Sequence, residues 1–197
     1  MLNIHEMARR YNNRYPDRPP VVASHNWLYG VWEIGNNYQN KTSFYGAYPP
    51  SYLERVLCMM YPRKVRGKFL HLFSGSLPPG EYVRFDSHQS CDVSGNAECL
   101  SGYFARDTFD LVLADPPYSK EDAEKYGTAL PNRRTVMREV RKVCMAGAIL
   151  VWLDTVKPMY RKVEWNLFGE IAIVRSTNHR VRMAFFFEAA VEPAHAS

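Results

Sequence analysis

The sequence holds no apolar run near the ~18 residues that a membrane-spanning helix needs, and charges break its longest apolar stretches. It also lacks a CxxC pair or any cysteine–histidine cluster with metal-ligand spacing. Its four cysteines, Cys58, Cys91, Cys99 and Cys144, stand apart and read as reduced thiols of a cytoplasm-like compartment. His71 and His179 have no ligand companions, so no metal is expected. Met1–Pro20 is rich in Arg, Asn and Pro and has no apolar centre, unlike a secretory signal. There is no internal repeat. These absences exclude collagen-like, low-complexity and wholly disordered classes and point to a soluble, cytoplasmic protein.

What is present is enough for one complete α/β core. The chain has 197 residues, 46% of them hydrophobic and 14% aromatic, and a domain of this size buries roughly 70% of its unfolded surface. Lys and Arg number 25 against 20 Asp and Glu, a formal charge of +5. That excess is compatible with a polyanionic partner without establishing one.

The chain divides by character. Residues 1–25 are polar and basic (Arg9, Arg10, Arg14, Arg18) and end at Pro19-Pro20; they are expected to form an arm that orders only against something else. Residues 26–197 read as a single domain, with an aromatic-rich lead-in at 26–61 and a core sheet at 68–188. Residues 26–50 show neither a helical nor a strand period. Ser51 and Glu54 have capping-box spacing, which predicts a helix over 51–61.

From Lys68 the pattern changes to short apolar runs ended by small or acidic residues. Lys68–Phe73, Glu81–Phe85, Phe109–Ala114 and Ala148–Leu153 read as buried strands, and Ile171–Val174 with Met183–Phe187 as an antiparallel pair. Helices fit at Lys120–Tyr126 and Arg133–Met145. The predicted fold is α/β, a doubly wound, mostly parallel sheet with a C-terminal antiparallel hairpin. Ligands of such sheets bind outside the carboxyl ends of the strands. Gly75, Asp86, Asp115 and Asp154 all fall at such ends.

The sharpest signal is Asp115-Pro116-Pro117-Tyr118, directly after the strand FDLVLA. The bland reading is a proline-rich turn in which Asp115 caps the next helix. The alternative is chemical, since DPPY after a buried strand resembles the catalytic motif of the S-adenosylmethionine-dependent amino-methyltransferases. These act on the exocyclic nitrogen of adenine or cytosine in DNA, or of related bases in RNA. The resemblance covers about residues 43–188 and implies a Rossmann-like methyltransferase sheet with S-adenosylmethionine as cofactor. An exocyclic amine is conjugated with its ring and is a poor nucleophile. The Asp115 carboxylate and the Pro116 carbonyl would accept its N–H bonds and favour a pyramidal, attacking nitrogen. Pro116 and Pro117 stiffen the turn, and Tyr118 offers a face for a flipped-out base.

By the same resemblance, Phe73, Ser74, Gly75 and Ser76 form the cofactor loop. Tyr45, Gly46 and Tyr48 close over the cofactor's methionine end. Asp86 holds the ribose hydroxyls, and Asn96 and Ala97 meet the adenine. The sequence departs from the family at His71, where an acid is common, and at Leu77, where a second glycine is usual. Pro78-Pro79-Gly80 leaves almost no room for a first crossover helix.

Arg133 and Arg134, with Arg175, His179, Arg180 and Arg182 of the final hairpin, are candidate phosphate contacts. A solvated helix face is an equal reading for the 133–142 group. The expected activity is methylation of a nucleobase amino group, adenine N6 in DNA foremost. Specificity would come from short loops, residues 1–45, a homodimer or a partner subunit, since no separate recognition domain is visible. Compact enzymes of this kind resemble those of bacteria and their phages. An RNA base methyltransferase and a cofactor-poor, non-catalytic nucleic-acid-binding subunit remain open alternatives.

Overall fold

The computed structural model describes residues 3–35, 48–49, 51–60, 68–87, 90–175 and 178–191, and of 175 and 178–180 the backbone alone. Along the chain run α1 (Ile4–Arg14), β1 (Val22–Ser24), β2 (Trp27–Ile34), α2 (Tyr52–Met60), β3 (Lys68–Leu72), β4 (Val83–Asp86) and β5 (Val93–Ser94). A short 3-10 segment (Ala97–Gly102) follows. Next come β6 (Phe109–Ala114), α3 (Lys120–Lys125), α4 (Arg133–Val143), β7 (Cys144–Asp154), β8 (Trp165–Arg175) and β9 (Asn178–Ala189). One sheet takes in all the described strands, in the order β1-β2-β8-β9-β7-β6-β3-β4-β5. From β5 to β7 the pairings are parallel. β9 runs antiparallel to both β7 and β8. The expected α/β sheet with a C-terminal antiparallel hairpin is what forms.

The central strands are apolar on both faces because both faces are covered. In β7, Ile149, Val151 and Leu153 join one core, while Leu150 and Trp152 join the other. α4 closes the second core with Val136, Met137, Val140 and Val143, beside Leu100 of the 3-10 segment. The first core is closed from the N-terminus, by Met7, Ala8 and Tyr11 of α1 and Val56, Met59 and Met60 of α2.

This corrects the reading of residues 1–25 as an arm that needs an outside partner. Asn3 caps α1, its Oδ1 accepting from the Glu6 N–H at 3.1 Å. Tyr11 is wholly buried and stacks on Trp32, with ring centroids 5.5 Å apart. The Asn12 amide then brackets the backbone of Val21 with two 2.9 Å hydrogen bonds, leading the chain into β1. The buried positions 4, 7, 8 and 11 have helical spacing, but four apolar residues among arginines and asparagines form a usable stripe only when a sheet face needs covering.

Two further expectations change. β1 closes the 1–25 segment, and the lead-in opens with β2, whose alternation is masked because aromatic and branched residues occupy both faces of Trp27–Ile34. Leu28, Trp32 and Ile34 are buried, while Tyr29 and Val31 are exposed. The capping box at Ser51 is absent, since Ser51 has φ of +59° and the Tyr52 N–H instead donates to Pro49 O at 3.0 Å. An N-cap side chain needs extended backbone at that position. Among the described residues no helix is long and apolar enough to cross a membrane.

β2 joins the sheet parallel to β8, with Leu28 opposite Gly169. A Cβ at Gly169 would lie 2.8 Å from both Leu28 Cβ and Leu28 O, so this pairing requires a residue without a side chain. Gly169→Ala should therefore destabilise the protein by about 1–3 kcal/mol, the range for overpacked sites. Urea unfolding checks this; an unchanged midpoint would show that β2 and β8 separate freely.

Candidate active site

β3, β4, β6 and β7 end on one edge of the sheet. β9, running the other way, begins there, with Met183 opposite Asp154. The site is built on this edge. After β3 the chain turns through Phe73 at φ +60° and Gly75 at φ +53°. Left-handed backbone is costly for a phenylalanine, and the cost is offset by neighbouring bonds. Ser74 N–H donates to Phe85 O at 3.1 Å, Gly75 N–H to Asp86 Oδ2 at 3.0 Å, and Asp115 N–H to Leu72 O at 3.3 Å. The loop at 73–76 is thereby tied to the ends of β4 and β6. Ser74 is buried, and its Oγ has no hydrogen-bond partner among the described residues.

Asp115 follows β6, and Pro116 and Pro117 are buried behind it. The Tyr118 hydroxyl donates to Asp115 Oδ1 at 2.5 Å. Asp115 does not cap the following helix: Ser119 does, its Oγ accepting from Asp122 N–H at 3.1 Å. Burial pushes the Asp115 carboxyl up to about 6; the Arg182 guanidinium and the Tyr118 hydrogen bond oppose that rise, and the charge of Asp154 adds to it. Burial likewise raises the Tyr118 phenol well above its ordinary range, followed by the charge of Asp115.

Asp154, expected to line a ligand cleft, is instead wholly buried and paired. Arg133 Nε donates to its Oδ2 at 2.7 Å and Nη2 to its Oδ1 at 3.2 Å, while Trp152 Nε1 and the Thr155 N–H add bonds of 3.1 and 2.7 Å. Arg133 Nη2 also reaches Tyr118 O at 3.0 Å. A buried carboxylate must have partners, and here they make Arg133 an internal strut rather than a phosphate contact. Arg134 is exposed on α4. Arg182 lies over the Tyr118 ring, with its guanidinium carbon 4.8 Å from the centroid.

The other candidates are placed as follows. Asn96 caps the 3-10 segment, its Oδ1 accepting from Glu98 N–H at 2.9 Å, so the oxygen expected to meet an adenine is already bonded locally. Ala97 is buried in the second core, and Ser76 is exposed. Tyr45 and Gly46, and the side chains of Arg175, His179 and Arg180, lie outside the described residues.

Tyr48 sits beneath the site. Its hydroxyl is 3.3 Å from Leu113 O and 3.2 Å from His71 Nδ1, and its ring stacks on Tyr52. Burial pushes His71 down to about 3, so the imidazole is neutral. A phenol has one proton. If Tyr48 gives it to Leu113 O, then His71 donates from Nδ1 to the Tyr48 oxygen. Burial and then the charge of Asp115 raise both Tyr48 and Tyr52 well above the ordinary phenol range, and the Tyr52 hydroxyl has no partner among the described residues. Reading the sequence missed the Tyr52 position and the Arg133–Asp154 pair. The only signal for the pair was an acid at a strand end and an arginine opening a helix.

TrmN from Thermus thermophilus superposes with a TM-score of 0.53 and 13% identity over 73% of this chain and 50% of that one. The chain has the fold of TrmN. It spans about half of that protein's length. A structure of yhhF from Escherichia coli that carries a methyltransferase description gives a TM-score of 0.49 and 15% identity, over 75% of this chain and 91% of that one. No family model and no curated protein matches.

The Asp115 environment has a consequence for stability. A carboxyl with a folded value of about 6, against ~3.9 when unfolded, folds more readily protonated. Its contribution is present below about pH 4 and is lost as pH rises through 6. Asp115→Asn should therefore be more stable than wild type by about 1–3 kcal/mol at pH 8, with no difference near pH 4. Unfolding by denaturant at the two pH values tests this, and equal stability at pH 8 would mean that the carboxylate is well solvated.

Proposed function

We propose that this protein is an S-adenosylmethionine-dependent methyltransferase acting on an exocyclic amino group of a nucleobase, adenine N6 in DNA foremost. One observation carries the reading. A half-buried carboxylate, Asp115, stands at the end of a central strand, held from behind by two buried prolines and from one side by Tyr118, beside a strained glycine loop. A scaffold has no need of that combination. The fold shared with TrmN supplies the sheet edge on which this turn stands.

The residues of the loop suit the cofactor. Ser74 Oγ is buried and without a partner among the described residues, and Gly75 brings backbone forward without a Cβ. Phe73–Ser76, Asp86, Asn96, Ala97 and Tyr48, with Tyr45 and Gly46, would hold S-adenosylmethionine. When bound, it supplies an electrophilic methyl group on a sulfonium sulfur.

The chain's own residues do the rest. With Tyr118 on Oδ1, Asp115 has Oδ2 to accept an N–H of the substrate amine, and the Pro116 carbonyl accepts the other. Two acceptors draw the amine out of conjugation, so its lone pair is available for attack. After transfer the nitrogen sheds a proton, which Asp115, with a carboxyl value of about 6, takes at Oδ2 and returns to water. Burial of Pro116 and Pro117 fixes the direction of both acceptors.

The test is transfer from labelled S-adenosylmethionine to unmethylated genomic DNA and, separately, to total RNA, read by nucleoside mass spectrometry. Methyl on adenine N6 of DNA is expected, with an acid limb near pH 6. Asp115→Ala should lower the rate by about 10²–10³, the loss typical of a removed transition-state partner. Methyl found only on an RNA base would move the substrate to RNA. Bound cofactor with no transfer to either nucleic acid, or a wild-type rate in Asp115→Ala, would overturn the mechanism.

A further inference from the structure

Tyr118 is held at three points. Its hydroxyl is on Asp115 and its carbonyl on Arg133. The third hold is the Arg182 guanidinium over its ring at 4.8 Å. Arg182 belongs to β9, opposite Ile173 of β8 and next to Met183, which pairs with Asp154. It is half-buried, and among the described residues it forms no ion pair. A guanidinium is planar and weakly hydrated, so it lies well on an aromatic face, where desolvation strengthens the attraction. A phosphate contact, the role expected for this residue, needs a cation projecting into solvent. This one is folded inward against the catalytic motif.

We infer that Arg182 is a positioning residue: its guanidinium clamps the Tyr118 ring so that the phenol stays on Asp115 Oδ1 and Oδ2 is left for the substrate amine. The inference rests on the methyltransferase reading for the substrate, but the clamp itself is a property of the folded chain. Its electrostatic side follows from the neighbours of Asp115. These are Tyr118 in its own loop, Arg182 of β9, Asp154 of β7 with Arg133 of α4 against it, and Tyr48 with Tyr52 of α2. Burial of Asp115 disfavours the carboxylate, and Arg182 and the Tyr118 hydroxyl are the groups that favour it. Removing Arg182 takes away one directly and loosens the other. Both changes move the carboxyl in the same direction, upward.

The experiment titrates the protein without substrate, by NMR of aspartate labelled with ¹³C at the side-chain carboxyl. The Asp115 signal is identified as the one lost in Asp115→Asn. It should titrate at higher pH in Arg182→Ala than in wild type. In Arg182→Lys, which keeps the charge and loses the planar stack, it should fall between the two. In single-turnover methyl transfer, Arg182→Ala should move the acid limb upward with the carboxyl, so that its rate at pH 6 relative to pH 8.5 falls by about threefold or more, a full unit of rise from about 6 being worth roughly fivefold at that pH. S-adenosylmethionine affinity should stay at the wild-type value. An unmoved Asp115 titration in Arg182→Ala would overturn the inference. So would a change confined to nucleic-acid KM and its salt dependence, which would make Arg182 a phosphate contact. Absence of transfer by the wild-type protein bears on the methyltransferase reading alone, because the titration needs neither cofactor nor nucleic acid.

Discussion

The buried carboxylate of Asp154 has to be neutralised where β7 ends, and the way this is done organises the whole functional edge. An unpaired charge at that depth would cost several kcal/mol, and breaking such a pair typically costs about 3–5 kcal/mol. Arg133 meets the need from the first residue of α4, which fixes where that helix begins against the sheet. The same guanidinium binds the Tyr118 carbonyl, so the loop that carries Asp115 is fastened to β7 through α4. A single ion pair thus joins a strand end, a helix start and the candidate catalytic turn.

The sheet achieves burial on its other face by an unusual allocation of helices. Between β3 and β4, residues 77–80 (Leu-Pro-Pro-Gly) run without a helix, and between β7 and β8 the chain crosses through irregular backbone. α1 and α2, both encoded ahead of the core sheet, cover the face closed in the first core. Arg55 secures them. It is buried, donates to the Tyr11 hydroxyl at 3.2 Å and to Glu33 O at 3.1 Å, and lies over the rings of Tyr15 and Trp32. Aromatic faces and carbonyl oxygens there do for a cation what carboxylates do elsewhere.

Around the candidate site, charge is scarce and graded. His71 is neutral by burial, Tyr48 and Tyr52 stay protonated, and Asp154 is cancelled by Arg133. Asp115 remains as the group whose ionisation falls near physiological pH, with Arg182 and Tyr118 adjusting it. A carboxylate in such surroundings is a stronger acceptor than one in water, and it costs stability to keep. Perturbed groups of this kind collect where chemistry is done.

Much of this was legible along the chain. The buried strands Lys68–Leu72 and Phe109–Ala114, the helix at Lys120, and the acids at strand ends are short-range patterns, settled by short apolar runs and by turn chemistry within a few residues. The sequence by itself determined a mostly parallel α/β sheet and placed Gly75, Asp86 and Asp115 on its carboxyl edge, because parallel strands that end alike must share an edge. Tertiary structure decided everything that depends on residues far apart in the chain. It set Arg133 on Asp154, Arg182 on Tyr118, β2 beside β8, and α1 on a sheet face assembled from strands that follow it. None of these pairings has a local signature, since each partner alone is an ordinary surface arginine, a strand-end acid or a sparse helical stripe. Their roles arise only when folding removes water from between them, which makes a charge need its counter-charge and an apolar stripe its cover.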